Sequence, residues 1–178
     1  MRIVAGKYRH RLISYPSVNS TRPTMDKVRE AMMSSINLNI ANRVVLDLFA
    51  GSGALGIESL SRGAKCCYFV DNNKEAIKTI KDNIANLKIE EETHVCFASY
   101  LDFLMANKEK QFSLIFLDPP YKNHDVYDEI LNFMIENSML SDDAIIVMEA
   151  NYEMKEKPYF SSFRHYRYGM IHVNVYRR

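Results

Sequence analysis

Apolar positions along this chain switch repeatedly between two periods. Near-continuous apolar runs at residues 44–49, 66–70, 93–98, 112–117 and 144–149 are short and bounded by polar or glycine-containing segments, which predicts five buried strands. Between them the spacing becomes helical: Ile57 and Leu60, then Ala76, Ile77, Ile80 and Ile84 within residues 74–87, then residues 100–107 and 127–135. A further helix precedes the first strand, with Thr24 as its N-cap and Val28, Ala31, Met32, Ser35 and Ile36 along one stripe. Residues 2–15 alternate loosely, as one or two short strands or a basic arm. The tail alternates over residues 164–168 and 170–176 around Tyr168-Gly169, the pattern of an antiparallel hairpin.

Strand and helix in alternation from residue 43 to 149 predict an α/β fold with a doubly wound, mostly parallel sheet. At 178 residues and 47% hydrophobic content, the chain can bury one substantial core. A single domain is expected, with residues 1–42 as a basic extension and helix and residues 43–178 as its core. No run approaches the roughly 20 apolar residues of a membrane span, and Arg2 with the mixed polar residues after it argues against a signal peptide. Cys66 and Cys67 are adjacent, and with Cys96 they lie in strand-like runs. That spacing suits neither a disulfide framework nor zinc, so no metal is expected, and core thiols point to a reducing cytoplasm.

The formal net charge of +1 hides a segregation. Arg2, Lys7, Arg9, His10 and Arg11 open the chain with no acid among them. Arg164, His165, Arg167, Arg177 and Arg178 close it, interleaved with Phe163, Tyr166, Tyr168 and Tyr176. Basic ends with aromatic side chains suit a polyanion with exposed bases, and a pair of solvated strands has the same composition.

Two stretches hold the candidate chemistry. The run at 112–117 ends in Asp118-Pro119-Pro120-Tyr121. Two prolines remove two backbone donors and fix two φ angles, so the strand ladder stops, and the residue before each is held extended. A carboxylate and an aromatic ring are thereby fixed at the carboxyl end of a strand, the edge where open α/β sheets bind ligands. Upstream, Gly51-Ser52-Gly53-Ala54-Leu55-Gly56 fits G-x-G-x-x-G between a strand and a helix, and Asp71 follows Gly51 by 20 residues. That spacing sets a carboxylate against a ribose diol, so a nucleoside cofactor is expected. A dinucleotide would seat its pyrophosphate on the helix N-terminus. S-adenosylmethionine would instead bring a sulfonium and an α-amino group. Asp47, four residues before Gly51, would repel a pyrophosphate and attract the cationic moiety, and Asp118 adds a second acid. Both acids favour S-adenosylmethionine.

The run from Asp47 to Gly56, Asp71 and Asp118-Pro119-Pro120-Tyr121 resemble the motifs of amino-methyltransferases with the Rossmann-like class I fold. Arg2-Ile3-Val4-Ala5-Gly6-Lys7, the block from Arg22 to Ala31 and Tyr168-Gly169 resemble, more narrowly, the bacterial small-subunit ribosomal RNA guanine-N2-methyltransferase family. The resemblance covers nearly the whole chain. It implies a seven-stranded sheet with an antiparallel last strand, S-adenosylmethionine as cofactor, and a monomer acting on ribosomal RNA within a small subunit or assembly intermediate. By position it implies Thr24, Asp47, Phe49, Ala50, Gly51, Ser52, Gly53, Asp71, Asn72, Ser99, Tyr100 and Asp118 as cofactor contacts. It likewise implies Arg2, Lys7, Arg9, Arg11, Arg22 and Lys122 as RNA contacts. Ser99 stands where the family usually has an Asp that caps the adenine amino group, and a serine accepts that bond more weakly.

The implied reaction is methylation of the exocyclic N2 amine of one guanine, whose lone pair is delocalised into the ring and weakly nucleophilic. Asp118 and the Pro119 carbonyl would accept from that amine and orient it, and Tyr121 would stack on an extruded base. Three other readings remain open at this point. An adenine-N6 methyltransferase usually has a separate target-recognition domain, for which this length leaves no room. An NAD-dependent oxidoreductase needs a second substrate domain. A non-catalytic RNA-binding assembly factor has no need of the Asp118 carboxylate.

Overall fold

The computed structural model describes residues 1–16, 23–119 and 125–178. Its elements in chain order are α1 (Pro23–Ile36), β1 (Val44–Asp47), α2 (Ala54–Ser61), β2 (Cys66–Asp71), α3 (Lys74–Leu87) and β3 (Thr93–Phe97). There follow α4 (Tyr100–Ala106), β4 (Phe112–Leu117), α5 (Val126–Glu136), β5 (Leu140–Ala150), β6 (Ser162–Tyr168) and β7 (Ile171–Arg177). The seven strands form one sheet in the order β3-β2-β1-β4-β5-β7-β6. The first five are parallel, and β7 runs antiparallel between β5 and β6. This is the Rossmann-like α/β sheet expected from the alternation, with the antiparallel last strand in place.

Side chains on the central strands β1, β4 and β5 alternate between two apolar layers, which is why their runs are apolar at nearly every position. Val45, Leu114, Phe116, Ile145, Val147, Val173 and Val175 pack toward α1, α2 and α3. Leu46, Ile115, Leu117, Ile146, Met148 and Tyr176 pack toward α4 and α5. Helix α2 lies hard against the sheet at Gly56, where a Cβ would come within 2.3 Å of the Phe69 ring and 2.5 Å of the Cys67 sulfur.

Two element ends differ from the sequence reading. Helix α1 begins at Pro23, so Thr24 lies inside its first turn and does not cap it. Proline suits that first position because the N–H it lacks would have no helical acceptor there. Strand β5 begins at Leu140, ahead of its apolar run, because Ser141, Asp142 and Asp143 extend it in spite of their polarity.

The N-terminal segment is folded down rather than loose. Ile3 N donates to the Arg11 carbonyl and Ile13 N to the Met1 carbonyl, each at 3.0 Å, closing a small hairpin. Its partner is Glu58 of α2, only 2% exposed. The Glu58 carboxylate accepts from Val4 N and Ala5 N, both at 3.0 Å, and pairs with Arg62 at 2.9 Å. A buried carboxylate is stable only when its acceptors are used, and here the arm and Arg62 use them. Glu58→Ala removes the carboxylate that pairs with Arg62 and that two backbone N–H groups donate to. It should lower the unfolding free energy by about 3 kcal/mol in urea melts, and expose residues 1–13 to proteolysis.

Candidate active site

Strands β1, β4 and β5 end at one edge of the sheet, and each ends near an acid. Asp47 closes β1, Asp118 follows β4, and Glu149 is the last residue but one of β5. The parallel register pairs Asp47 with Phe116 and Leu117 with Met148, so Asp118 continues beside Glu149. Phe116 and Val147 face α1–α3, and alternation turns Asp47, Asp118 and Glu149 to that same side. Asp47 is 2% exposed and Glu149 8%.

Crowding shows in the proton affinities. Burial pushes the Asp118 carboxyl well above the usual range, and the charges of Glu149 and then Asp47 push it further. Burial raises Asp47 to about 7, the bond from Gly56 N at 3.1 Å opposes the shift, and Asp71 adds to it. Tyr127 of α5 donates its hydroxyl to the Glu149 carbonyl. Burial, then the charge of Asp118, raises the proton affinity of that phenol. The sequence reading passed over Glu149 and Tyr127. A signal for Glu149 existed: like Asp47, it is a lone acid at the carboxyl end of an apolar strand.

The glycine turn sits beside this row. Gly53 takes φ +76° at the start of α2, a left-handed conformation that disfavours other residues, and its N–H donates to Ala50 at 2.7 Å. Asp71 holds the turn, accepting from Gly51 N and Asn73 N at 2.8 Å each. Asn83 of α3 donates to the Ser52 carbonyl at 3.1 Å. A Cβ at Gly51 would meet nothing within 4 Å, so the backbone there can be approached closely. Asn72 is exposed next to Asp71, and it is Asn73 whose side chain caps α3. Phe49 and Tyr100 lie with ring centroids 5.7 Å apart, and Tyr100 reaches Glu129 of α5 at 3.1 Å. Ser99 caps α4: its hydroxyl accepts from Asp102 N at 3.1 Å and donates to the Asp102 carboxylate at 2.7 Å.

Not every expected residue converges here. Tyr121, Lys122 and Arg22 lie outside the described residues, and for Thr24 only the helical backbone is described. Arg2, Lys7, Arg9 and Arg11 are exposed on the N-terminal hairpin. Lys7 pairs with Glu92 just before β3 at 2.7 Å, and Arg11 donates to the Asn86 carbonyl near the end of α3 at 2.7 Å. Both lie toward the amino-terminal edge of the sheet, away from Asp118. Arg29 is 7% exposed and donates to the Arg2 carbonyl at 3.2 Å, a position inside the fold. The β6–β7 hairpin behaves differently. Ala150 pairs with His172 and His172 with Arg167, so the tip at Tyr168, Gly169 and Met170 extends past the carboxyl edge. Among the described residues there is no cluster of His, Cys, Asp and Glu that could hold a metal, and no helix long and apolar enough to cross a membrane.

Comparison with known proteins gives these features a family. The model of a family described as Conserved hypothetical protein 95 matches residues 1–177. The YlbH protein of Bacillus subtilis is 37% identical over 183 aligned residues, spanning 100% of this chain and 99% of that one. Ribosomal RNA small subunit methyltransferase D of Haemophilus influenzae is 35% identical over 160 residues, spanning 89% of this chain and 81% of that one. The solved structure of yhhF from Escherichia coli matches with a TM-score of 0.88 at 31% identity, covering 100% of this chain and 97% of that one. This chain belongs to the Conserved hypothetical protein 95 family, in company with the ribosomal RNA small subunit methyltransferases D.

Proposed function

We propose that this protein is an S-adenosylmethionine-dependent methyltransferase that modifies the exocyclic N2 amine of a guanine in small-subunit ribosomal RNA, acting as a cytoplasmic monomer. The supporting observation is the row of buried acids beside an approachable glycine turn. The residues present fit that cofactor. Each Asp71 oxygen takes one backbone N–H and keeps a second lone pair for a ribose hydroxyl. Asp47 and Asp118 suit a sulfonium and an ammonium, and they would repel a pyrophosphate. The ribosomal RNA comes from the name of the Haemophilus influenzae relative.

Bound there, S-adenosylmethionine supplies an electrophilic methyl group on its sulfonium. The Asp118 carboxylate and the Pro119 carbonyl accept hydrogen bonds from the substrate amine, withdraw its lone pair from ring delocalisation and aim it. The raised proton affinity of Asp118 fits it to receive the amine proton once transfer is complete. Tyr121 stacks on the extruded base. Phe49 and Tyr100 flank the cofactor, and Ser99 keeps one lone pair for adenine beyond its cap. RNA phosphates are held by Arg2, Lys7, Arg9, Arg11, Arg22 and Lys122.

Turnover, and then proton release on binding, test this reading. With a radiolabelled methyl donor and small subunits from cells lacking the modification, nucleoside digests should show label in N2-methylguanosine. Asp118→Ala should lower kcat about 1000-fold with RNA affinity unchanged; unaltered turnover would remove Asp118 from the mechanism. Because the ionised carboxylate is the stronger acceptor and the form that can take the amine proton, and its proton affinity is raised, log kcat/KM should climb with pH above the ordinary carboxylate range.

The second measurement concerns Asp47. In the free protein it titrates at about 7, so it is largely protonated at pH 6, and an arriving ammonium favours its ionised form. S-adenosylhomocysteine keeps that ammonium, and its binding should release a proton near pH 6 and little above about pH 8. Calorimetry in two buffers of different ionisation enthalpy reads the release. Proton uptake, or none, would take Asp47 away from the amino group.

A further inference from the structure

The order of the strands divides the carboxyl edge of the sheet at β4, which Asp118 follows. On one side lie β1 and β2 with the glycine turn and Asp71, the side assigned to the cofactor. On the other side lie β5, β7 and β6, and the substrate has that side left to it. The described cations assigned so far to RNA sit on the N-terminal hairpin at the opposite edge. The element that stands over the substrate side is the β6–β7 hairpin.

Its tip is placed by register. Leu117 pairs with Met148 and Met148 with Asn174, so Met170 lies three residues beyond the level of Asp118 and two strands across. That offset is roughly 10 Å upward and roughly 10 Å sideways. Gly169, at φ +65°, takes the first position of the two-residue turn, where glycine is favoured, and Met170 takes the second with 79% of its surface exposed. Tyr168 pairs with Ile171 and both pack against the core, so the strands are held right up to the turn. The Arg167 Nε donates to the Gly169 carbonyl at 3.0 Å, which ties the turn down and uses one of the five guanidinium donors. No acid follows Glu156 in the chain. A single exposed methionine is ordinary on any surface. This one is held out on a braced, acid-free hairpin beside the place where a base must leave its stack, and an apolar side chain inserted between bases replaces a lost stacking neighbour.

We propose that the β6–β7 hairpin enters the RNA beside the target, with Met170 filling the gap that the extruded guanine leaves and Arg167 holding a phosphate next to it. This rests on the reading given under Proposed function, which extrudes the base and names nothing to take its place. The offset of Met170 from Asp118 is about the reach of one extruded nucleotide, so the base can lie at the acid while its gap lies at the tip. Met170 then acts on the extruded state, after binding, whereas Arg167 acts on binding itself.

The test uses the full chain and small subunits from cells lacking the modification. Met170→Ser should lower kcat about 10-fold with KM little changed, and Met170→Leu, still apolar, should keep most of the rate. Arg167→Gln should raise KM and weaken its dependence on salt. S-adenosylhomocysteine affinity should be unchanged in all three variants, which separates these effects from a damaged fold. With a benzophenone-bearing amino acid in place of Met170, irradiation should crosslink the chain to the nucleotides flanking the methylated guanine, located by primer extension. Crosslinks to distant nucleotides or to a ribosomal protein, or a Met170→Ser variant with wild-type kcat, overturn the inference while N2-methylguanosine from the wild type keeps the broader reading. No N2-methylguanosine from the wild type overturns both.

Discussion

The parallel register of β1, β4 and β5 is the constraint on which the site depends. Backbone ladders hold these strands whatever their last residues are, so the fold can bring Asp47, Asp118 and Glu149 together on one face against their mutual repulsion. Two unit charges about 5 Å apart repel by roughly 3 kcal/mol at an effective dielectric of 20. The site relieves this by holding protons, and the high proton affinity of Asp118 and the value of about 7 for Asp47 record it. A cationic cofactor relieves it in another way. The arrangement is therefore complementary to what binds and unfavourable without it, as expected of a preorganised electrostatic site.

The opposite edge of the sheet does different work. Glu58 draws the N-terminal hairpin onto α2, and Lys7 and Arg11 are tied to Glu92 and Asn86 there. Positive charge is thus set well away from the acids. At the carboxyl edge the basic contribution comes from the β6–β7 hairpin, whose Arg167 lies level with Ala150 through His172.

Much of this was legible in the sequence, for a physical reason. Parallel strands buried on both faces leave continuous apolar runs, and helices against them leave stripes, so element order and sheet class follow from periodicity. The start of β5 was not legible, since Ser141, Asp142 and Asp143 carry no apolar period. At the site, Asp118 was legible because Pro119 follows it, and Asp47 because the glycine turn begins four residues later, each marking a chain that must turn. Glu149 has no such neighbour. It reads as the last residue of an apolar run, and its meaning lies in the strand beside it. The docking of the N-terminal hairpin was hidden likewise, because Glu58 on a helix looks like any solvated acid until its two backbone donors are seen.

One consequence of the acid row concerns how RNA can reach it at all. Asp71 lies two residues beyond Phe69 on β2 and shares its face, so β1, β2, β4 and β5 all finish with an acid on the α1–α3 side. Such an edge repels phosphate. A nucleic acid backbone cannot lie across it, and a nucleotide still stacked in a helix would bring its phosphates along. A base swung out from its neighbours brings donors and a ring to the acids and leaves its phosphates outside the row. Under the proposed reading, extrusion of the target base follows from the charge distribution as well as from the need to expose the reacting amine.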